Sequence, residues 1–544
     1  MRTVPTRQRQ PSKLGPFRRA FLAAATTAAV AVVAVAVVPA AVVPAAGTAR
    51  LAAASSGRHD TLEAPLWVAP LGRVEFSSPT FARIDGVEAV VAASLNGTLY
   101  VRNAANGALL PGWPRRVVIK GSRTTWVDSS PAVAYLDGPR RPPTIVIGAG
   151  SLFQRSPAAN GGVIAFRVNG SLRWVFHTKA TFPQSGPASA GFDNSVFATP
   201  AIGDITGNGH DDIVFGSYDH YLYALTAAGR LVPGFPVQRA DTIWSSAALA
   251  DVTHTGRDDI FVGGDASGFE NQAGRPCHGG WMTDYRYSTR RRAPKLVWER
   301  CLGQTVWSSP AVGVINRGRA NPRGRPAVVV GTSYFGGYAS RPATDEVFAF
   351  YADNGRTVPG WPARAKGPTF GSPAIAPAIA GRAPLVISTS CARCLDGPSV
   401  VSAWTGSGRR VWSKVINEKT EMLGSPSVAN VTGSGPNDVL LGNAAGVYVL
   451  NAATGALVDG TGSTPLEQGC RTDGTPAVSQ ITTASRQRPA SGWVMVFSCT
   501  EGASGRLVAY GLPAPPDSVP PWPEWRANAQ RTGVAATFAP RLGA

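Results

Sequence analysis

The chain of 544 residues lacks the short motifs that mark the commonest catalytic sites. It has no Gly-x-Ser-x-Gly nucleophile elbow, no Gly-Lys-Ser/Thr phosphate loop and no His-Glu-x-x-His zinc pair, and its six histidines are dispersed. These absences argue against the corresponding hydrolase, nucleoside-triphosphatase and zinc-protease classes. They leave open a pair of carboxylates that folding brings together, for which Asp128 and Asp473 are the first candidates.

Charged residues are also scarce, since they make up 16% of the chain, and the 33 acidic residues are outnumbered by 52 basic ones. The apolar fraction of 44% is ordinary for a folded protein, which argues against disorder away from the chain ends. The basic residues are mostly scattered arginines. This distribution predicts a solvated surface and no nucleic-acid partner, and it leaves open an attraction to acidic envelope polymers.

Acidic residues are missing altogether before Asp60, and this stretch has the order of an export signal. Six basic residues precede an apolar run from Ala20 to Val38, and small residues follow at 47–49. We therefore expect a signal peptide over residues 1–49, a linker over 50–61 and a secreted or cell-surface protein. Arg18 and Arg19 resemble a twin-arginine signal. Cleavage would lower the formal charge from +19 to +13 by removing the six bases, whereas an uncleaved run could anchor the chain in a membrane.

Cysteines are few, and they fall into three pairs that are close in sequence. The pairs are Cys277 with Cys301, Cys391 with Cys394, and Cys470 with Cys499. An even number of cysteines in an exported chain predicts three disulfides. The alternative for Cys391-Ala-Arg-Cys394 is a redox motif, but the strand-to-helix context of that motif is absent from the sequence.

Glycine (61) and proline (45) are abundant, and they punctuate short apolar runs that a start motif introduces. This motif is a Ser or Thr followed by Pro or Ala, and it recurs eight times at intervals of 47 to 69 residues. Its first residues are Ser78, Ser130, Thr199, Ser246, Ser309, Ser372, Ser425 and Thr475. The interval is that of a four-stranded blade with its loops, so the sequence predicts an all-β protein with the fold of a β-propeller.

The two ends of the repeat region predict how the ring closes. After Thr475 the last unit supplies three strands, and residues 64–68 near the N-terminus read like the missing outer strand. We therefore expect eight four-stranded blades over residues 62–511, with the N-terminal strand completing the last blade. The alternative is seven blades, with the weak last unit packed as an appendage. We expect residues 512–544 to be a Pro-rich C-terminal tail that lies across the propeller or extends from it.

The nine residues from Asp204 to Asp212, followed by Ile-Val-Phe-Gly-Ser, resemble the FG-GAP/VCBS repeat of bacterial secreted propellers, which also builds the integrin α-subunit head. The resemblance covers roughly residues 62–511. It implies a calcium ion held by the side chains of Asp204, Thr206, Asn208 and Asp212 and by the carbonyl of His210. A second loop matches more loosely, with Asp251, Thr253, Thr255 and Asp259. The alternative is that both loops are tight turns in which aspartate caps backbone amides.

Two turns resemble those of another propeller family. Asn103-Ala-Ala-Asn-Gly-Ala-Leu and Asn451-Ala-Ala-Thr-Gly-Ala-Leu look like the blade turns of pyrroloquinoline-quinone (PQQ) dehydrogenases. That family places a disulfide of adjacent cysteines over its cofactor, whereas Cys391 and Cys394 are separated by two residues. The resemblance therefore implies a shared architecture, and PQQ is not expected as a cofactor.

Aromatic residues recur at one position of the repeat, three residues before the Pro or Ala of the start motif. They are Phe76, Phe197, Trp244, Trp307 and Phe370, and Trp126 lies beside a sixth equivalent position. In a propeller these positions circle the central funnel, where aromatic rings could stack on sugars or hold cations. The alternative is that each ring wedges between neighbouring blades.

These patterns predict an exported, non-catalytic binding or adhesion module. We expect its partner to be an extracellular or envelope glycan or a protein, with calcium stiffening the blades on the face opposite the aromatic residues. The alternative is an enzyme on the same scaffold, either a quinoprotein-like oxidoreductase or a polysaccharide-degrading enzyme. The sequence predicts neither the ligand nor an oligomeric state.

Overall fold

The structure is a computed structural model in which the described residues are 62, 64–119, 125–151, 161–179, 194–266, 277, 279–316, 324–333, 345–391, 398–417, 424–433, 435–458, 465–481, 492–513 and 519–535. Every regular element within these residues is a β-strand. No helix long and apolar enough to span a membrane occurs in this part of the chain.

The strands form eight antiparallel sheets that follow one another along the chain as the blades of a propeller. Blade 1 contains β2 (Thr80–Ile84), β3 (Val87–Ala93), β4 (Thr98–Asn103) and β5 (Arg115–Arg116). Blade 2 contains β6 (Ala132–Ala134), β7 (Thr144–Ala149), β8 (Gly162–Arg167) and β9 (Leu172–His177). Blade 3 contains β10 (Ala201–Gly203), β11 (Asp212–Gly216), β12 (Tyr221–Leu225) and β13 (Val237–Gln238). Blade 4 contains β14 (Ala248–Ala250), β15 (Asp259–Ala266), β16 (Gly279–Ser288) and β17 (Ala293–Cys301).

The second half of the ring repeats this order and ends with the N-terminal strand. Blade 5 contains β18 (Ala311–Gly313), β19 (Ala327–Gly331), β20 (Glu346–Tyr351) and β21 (Ala363–Arg364). Blade 6 contains β22 (Ala374–Pro377), β23 (Pro384–Cys391), β24 (Ser399–Thr405) and β25 (Arg410–Asn417). Blade 7 contains β26 (Ser427–Ala429), β27 (Asp438–Asn443) and β28 (Gly446–Asn451). Blade 8 contains β29 (Ala477–Ile481), β30 (Gly492–Glu501), β31 (Ser504–Leu512) and β1 (Trp67–Pro70).

The eight-bladed ring and its closure by the N-terminal strand are confirmed. Strand β1 pairs with β31 in the register Trp67 to Ala509 and Val68 to Val508, so blade 8 joins the two ends of the chain. Among the described residues, blade 7 has three strands rather than the predicted four. A single bridge between Val447 and Leu466 stands where its fourth strand would pair.

The second strand of a blade is a continuous run of small and β-branched apolar residues. Strands β7 (Thr144–Ala149) and β19 (Ala327–Gly331) are buried along their whole length. Both faces of such a strand are covered by neighbouring sheets, so the sequence shows no alternation of apolar and polar residues. The hydrophobic core is therefore divided among the interfaces between successive blades rather than gathered in one centre.

The start motif links each blade to the next through a hydroxyl group. In blades 1 to 6 the backbone N–H of its Ser or Thr donates to the side-chain oxygen of the equivalent residue in the following blade, and Thr475 of blade 8 donates to Ser78 of blade 1. We call this set the hydroxyl ring. Seven of its bonds, 2.8–3.0 Å long, connect Ser78, Ser130, Thr199, Ser246, Ser309, Ser372, Ser425 and Thr475. The motif repeats because its hydroxyl group bonds neighbouring blades to each other.

A second set of links joins the blades at their outer edges through tryptophan indoles. The Nε1–H of Trp298 in blade 4 donates to the carbonyl of Ala352 in blade 5 at 2.8 Å, and its ring lies against Gly355. A Cβ at Gly355 would stand 2.5 Å from that ring, and the φ of +65° also favours glycine. The same bond is made by Trp67, Trp113, Trp174, Trp361 and Trp412.

Residues 519–535 of the C-terminal tail lie inside the ring. Backbone carbonyls between Trp522 and Gly533 accept N–H groups from the first strands of successive blades, in the order of blades 7, 8, 2, 3, 4 and 5. Blade 1, between blades 8 and 2, is joined through a side chain: the carboxylate of Glu524 accepts a hydrogen bond of 2.6 Å from the hydroxyl of Thr80. We call residues 519–535 the inner belt. Its carbonyls accept hydrogen bonds from backbone N–H groups on the strand edges that would otherwise face the central channel.

Two of the three predicted disulfides are confirmed. Cys277 is bonded to Cys301 with a Cα–Cα distance of 5.6 Å, and Cys470 is bonded to Cys499 with a distance of 5.2 Å. Cys391 ends strand β23. Its predicted partner Cys394 lies outside the described residues, so that pairing stays a prediction.

Candidate functional site

The two faces of the ring carry different side chains. Antiparallel strands reverse direction at every turn, so the loops joining the first to the second strand, and the third to the fourth, lie on one face. We call this the hairpin face, and it carries the loops 204–212 and 251–259. The connections between blades lie on the other face, which we call the crossover face. Residues such as Phe197 and Trp244 belong to this crossover face.

Five of the six predicted aromatic residues contact one another on the crossover face. The ring centroids lie 5.1 Å apart for Phe76 and Phe197, and 4.9 Å apart for Phe197 and Trp244. Trp244 and Trp307 are stacked at 4.5 Å, and Phe370 follows at 5.2 Å from Trp307. We call these five residues the aromatic arc. Each is half-buried, so the arc presents a continuous apolar surface to solvent.

The aromatic arc forms the mouth of a narrow cavity on the axis of the propeller. Below the arc, the cavity is lined by the side chains of the hydroxyl ring, and the indole of Trp525 from the inner belt contributes to its lining. Its volume is about 90 Å³. A polar space of this size holds a few water molecules. Pockets that enclose small molecules are larger, at roughly 300–1,000 Å³.

Asp265 holds one member of the aromatic arc in place, and reasoning from the sequence did not single it out. It lies near the end of β15, is 7% exposed, and accepts a hydrogen bond of 2.8 Å from Nε1 of Trp307. Burial raises the pKa of the Asp265 carboxyl well above its ordinary value. The available signal was a second acid near the end of β15, after the run Ile-Phe-Val-Gly-Gly. Tyr218 also packs against Trp244, with ring centroids 5.1 Å apart.

The remaining predicted positions of the crossover face behave differently. Trp126 is half-buried and is absent from the lining of the cavity. Asp128 and Asp473, the candidate catalytic pair, both line it. The carboxylate of Asp473 is paired with Arg471, which in turn lies 3.7 Å from Glu75. Burial raises the pKa of Asp473 although Arg471 opposes this effect.

On the hairpin face, the loop of blade 3 brings its two end carboxylates together. The carboxylate of Asp204 accepts backbone N–H groups of Gly207 at 2.6 Å and Gly209 at 2.7 Å. Asp212 accepts bonds from residues 205 and 206, yet its Oδ2 is buried without a hydrogen-bond partner in the described residues. Burial, with the nearby charge of Asp204, raises the pKa of Asp212 to about 7.

The fit of this loop to calcium is partial. Asn208 uses its side-chain oxygen to accept the N–H of His210 at 2.8 Å, and the hydroxyl of Thr206 bonds to the flanking carboxylates. Within the described residues, no three His, Cys, Asp or Glu side chains converge to hold a metal by themselves. A calcium ion here would therefore depend on amide, hydroxyl and carbonyl oxygens besides Asp204 and Asp212.

The equivalent loop of blade 4 fits a cation less well. Asp251 caps the N–H groups of Thr255 at 2.9 Å and Gly256 at 2.7 Å, and the hydroxyl of Thr253 lies 3.3 Å from that of Thr255. Asp259, however, makes a two-point ion pair with Arg286, at 2.7 and 2.8 Å. The guanidinium of Arg286 neutralises the carboxylate of Asp259, as a bound metal ion would. Arg286 lies 27 residues further on, so spacing within the loop did not reveal it.

No protein-family model and no curated protein matches the chain. Among solved structures it is similar to BamB from Moraxella catarrhalis, with 14% identity and a TM-score of 0.44 over 82% of this chain and 96% of that one. It is also similar to the V. cholerae biofilm matrix protein Bap1, with 13% identity and a TM-score of 0.42 over 88% and 97% of the two chains.

The quinohemoprotein alcohol dehydrogenase from Comamonas testosteroni is a further similar structure, with 12% identity and a TM-score of 0.35 over 78% of this chain and 66% of that one. Similarities at this level carry no argument about what the chain binds. The chain's own eight antiparallel sheets establish its architecture. The chain is an all-β protein with the fold of an eight-bladed propeller.

Proposed function

We propose that the protein is an exported FG-GAP/VCBS-like propeller that binds a glycan on the aromatic arc without transforming it. The observation that carries this proposal is the unbroken series of half-buried rings from Phe76 to Phe370 at the mouth of the axial cavity. Aromatic faces pack on the C–H faces of sugar rings, and contiguous rings offer more than one such subsite.

The dimensions of the cavity support binding on the surface rather than chemistry inside. A space of about 90 Å³ is too small for a tricyclic quinone cofactor or for a sugar ring between Asp128 and Asp473. The inner belt also occupies the region below it, where Trp525 contributes to the lining. The geometry therefore favours the binding module over the quinoprotein-like oxidoreductase or polysaccharide-degrading alternatives.

Calcium at the blade 3 loop belongs to the same proposal. The buried Oδ2 of Asp212, which has no hydrogen-bond partner in the described part of the chain, is the group that a cation would satisfy. The ligands would be Asp204, Thr206, Asn208, Asp212 and the carbonyl of His210, and the ion would stiffen the loop. In blade 4, Arg286 already neutralises Asp259, so we propose no ion there.

The test is a glycan array probed with the purified full-length protein, followed by titration of the tightest neutral glycan. We expect Trp244→Ala to weaken that glycan by about tenfold, and Trp244→Phe to weaken it less because a ring remains. Tyr135→Ala is the matched control, since Tyr135 is an exposed aromatic residue on the hairpin face. Equal binding by Trp244→Ala and the wild type, or binding of protein partners but no glycan, would refute the proposal.

A further inference from the structure

A second candidate site lies on the hairpin face, where blades 1, 2 and 3 meet. It is a groove of about 830 Å³, which is within the size range of small-molecule and oligosaccharide sites. Its floor and walls include Leu136, Pro142, Pro143, Val168 and Ala227. We call it the arginine groove, because Arg141, Arg167 and Arg173 also line it.

Two of the three arginines are available to a ligand. Arg173 is held by Asp137 in a two-point ion pair of 2.7 and 2.6 Å, and it also donates to Thr144 at 2.8 Å. Arg167 is exposed and makes one bond, to the carbonyl of Leu172 at 2.9 Å. Arg141 is exposed, and its guanidinium has no hydrogen-bond or ion-pair partner in the described residues.

The positive charges of the groove act on its own acid, Asp137. The hydrogen bond from Arg173, reinforced by the charges of Arg173, Arg141 and Arg167, lowers the pKa of Asp137. Because Arg173 takes up both oxygens of Asp137, the guanidinium of Arg141 and the remaining N–H groups of Arg167 are left to bind another carboxylate. Asp85 is the other acid in the lining.

From this arrangement we infer that the arginine groove binds an acidic oligosaccharide through its carboxylate groups. Guanidinium forks match carboxylates in two-point geometry, and the exposed side chain of Asn169 adds a polar group that suits ring hydroxyls. Pro142 and Ala227 provide apolar surface for the C–H faces of the sugar. This site is separate from the aromatic arc, so the protein presents one ligand surface on each face of the ring.

The propeller offers a matched control four blades away. In blade 2 the N–H of Arg141 donates to the carbonyl of Gly138 at 3.0 Å, and in blade 6 the N–H of Arg382 donates in the same way to Ile379 at 3.1 Å. Arg409 lies in the hairpin between the third and fourth strands of blade 6. In blade 2 the corresponding hairpin follows Arg167 directly. Arg382 and Arg409 are exposed and lie outside the arginine groove.

The experiment is a calorimetric titration of the full-length protein with hexagalacturonate at low and physiological salt. We expect the double variant Arg141→Ala/Arg167→Ala to bind about tenfold to a hundredfold more weakly than the wild type. The control Arg382→Ala/Arg409→Ala and the arc variant Trp244→Ala should bind as the wild type does. Methyl-esterified hexagalacturonate, which lacks the charge, should not bind.

Four results would overturn the inference. They are no binding by the wild type, unchanged binding by the groove variant, equal loss in the blade 6 control, and tighter binding of oligoglutamate than of hexagalacturonate. Loss of neutral-glycan binding in Trp244→Ala, with hexagalacturonate binding unchanged, would support the proposed function and would not affect the inference about the arginine groove.

Discussion

The backbone N–H of Thr475 donates a 2.9 Å hydrogen bond to Oγ of Ser78, although 397 residues separate the two in the chain. This bond joins blade 8 to blade 1 and continues the hydroxyl ring across the point where the propeller closes. Both residues are buried, at 1% and 3% exposure, so water does not compete for the bond. The same side chain that begins each blade therefore also fastens it to its neighbour.

A single member of the hydroxyl ring should matter measurably. In Ser246→Ala, the N–H of Thr199 loses its 2.8 Å acceptor inside the protein, and we expect the free energy of unfolding to fall by about 1–3 kcal/mol. Ser246→Thr retains the hydroxyl and should lose less. Chemical denaturation of the two variants measures the difference, and equal stability of Ser246→Ala and the wild type would contradict a structural role for the ring.

The inner belt should be needed for stability, because it places charged groups where no water reaches them. Arg531 is fully buried, donates to the carbonyls of Pro131 at 3.0 Å and Pro79 at 3.1 Å, and lies 3.5 Å from Glu524. Arg531→Met leaves the carboxylate of Glu524 without its counter-charge, so we expect a loss of about 3–5 kcal/mol.

The double variant Arg531→Met/Glu524→Gln separates charge pairing from packing. It removes both charges, so it should recover part of the stability lost in Arg531→Met. Urea denaturation gives both values. The pairing would be contradicted if the double variant lost more free energy of unfolding than Arg531→Met and Glu524→Gln lose together.

The ring could be predicted from the sequence because its signal repeats eight times, whereas the belt produces no repeat. Trp522, Arg526 and Arg531 are buried because they meet strand edges from blades far apart in the chain. A similar reason applies to Arg286, whose pairing with Asp259 depends on the register of β15 and β16. The aromatic arc was predictable as a set of positions, but the contacts that join its rings were not.

Asp219 should make stability depend on pH. It is fully buried and accepts hydrogen bonds from the hydroxyl of Tyr223 at 2.5 Å and from the N–H of Lys179 at 3.0 Å. Burial outweighs these bonds and raises the pKa of Asp219 from 3.8 to about 6. The folded protein therefore holds this proton more tightly than the unfolded chain does.

The stability contributed by this proton is fully present below pH 3.8 and is lost as the pH rises through about 6. Between those limits we expect the stability of the wild type, relative to Asp219→Asn, to fall by roughly 3 kcal/mol. The free energy of unfolding of both proteins at several pH values tests this. A difference between wild type and Asp219→Asn that does not vary with pH would contradict the assignment.

Calcium should raise the melting temperature through the blade 3 loop and not through the blade 4 loop. A ligand that binds the folded state at a hundred times its Kd stabilises it by about 2.7 kcal/mol. We expect Asp204→Ala to abolish the calcium-induced shift and Asp251→Ala to leave it intact. Since both aspartates cap backbone amides, the readout is the shift on adding calcium rather than the absolute melting temperature. A shift of equal size in Asp204→Ala and the wild type would contradict the site.

The central claim is that the aromatic arc binds a glycan that the protein leaves intact. The most direct measurement incubates the wild type with the tightest neutral glycan of the array, and follows binding by calorimetry and cleavage by reducing-end formation in the same sample. We expect saturable binding that weakens about tenfold in Trp244→Ala, with no new reducing ends. Reducing ends that accumulate with the wild type and disappear in Asp128→Asn or Asp473→Asn would contradict it.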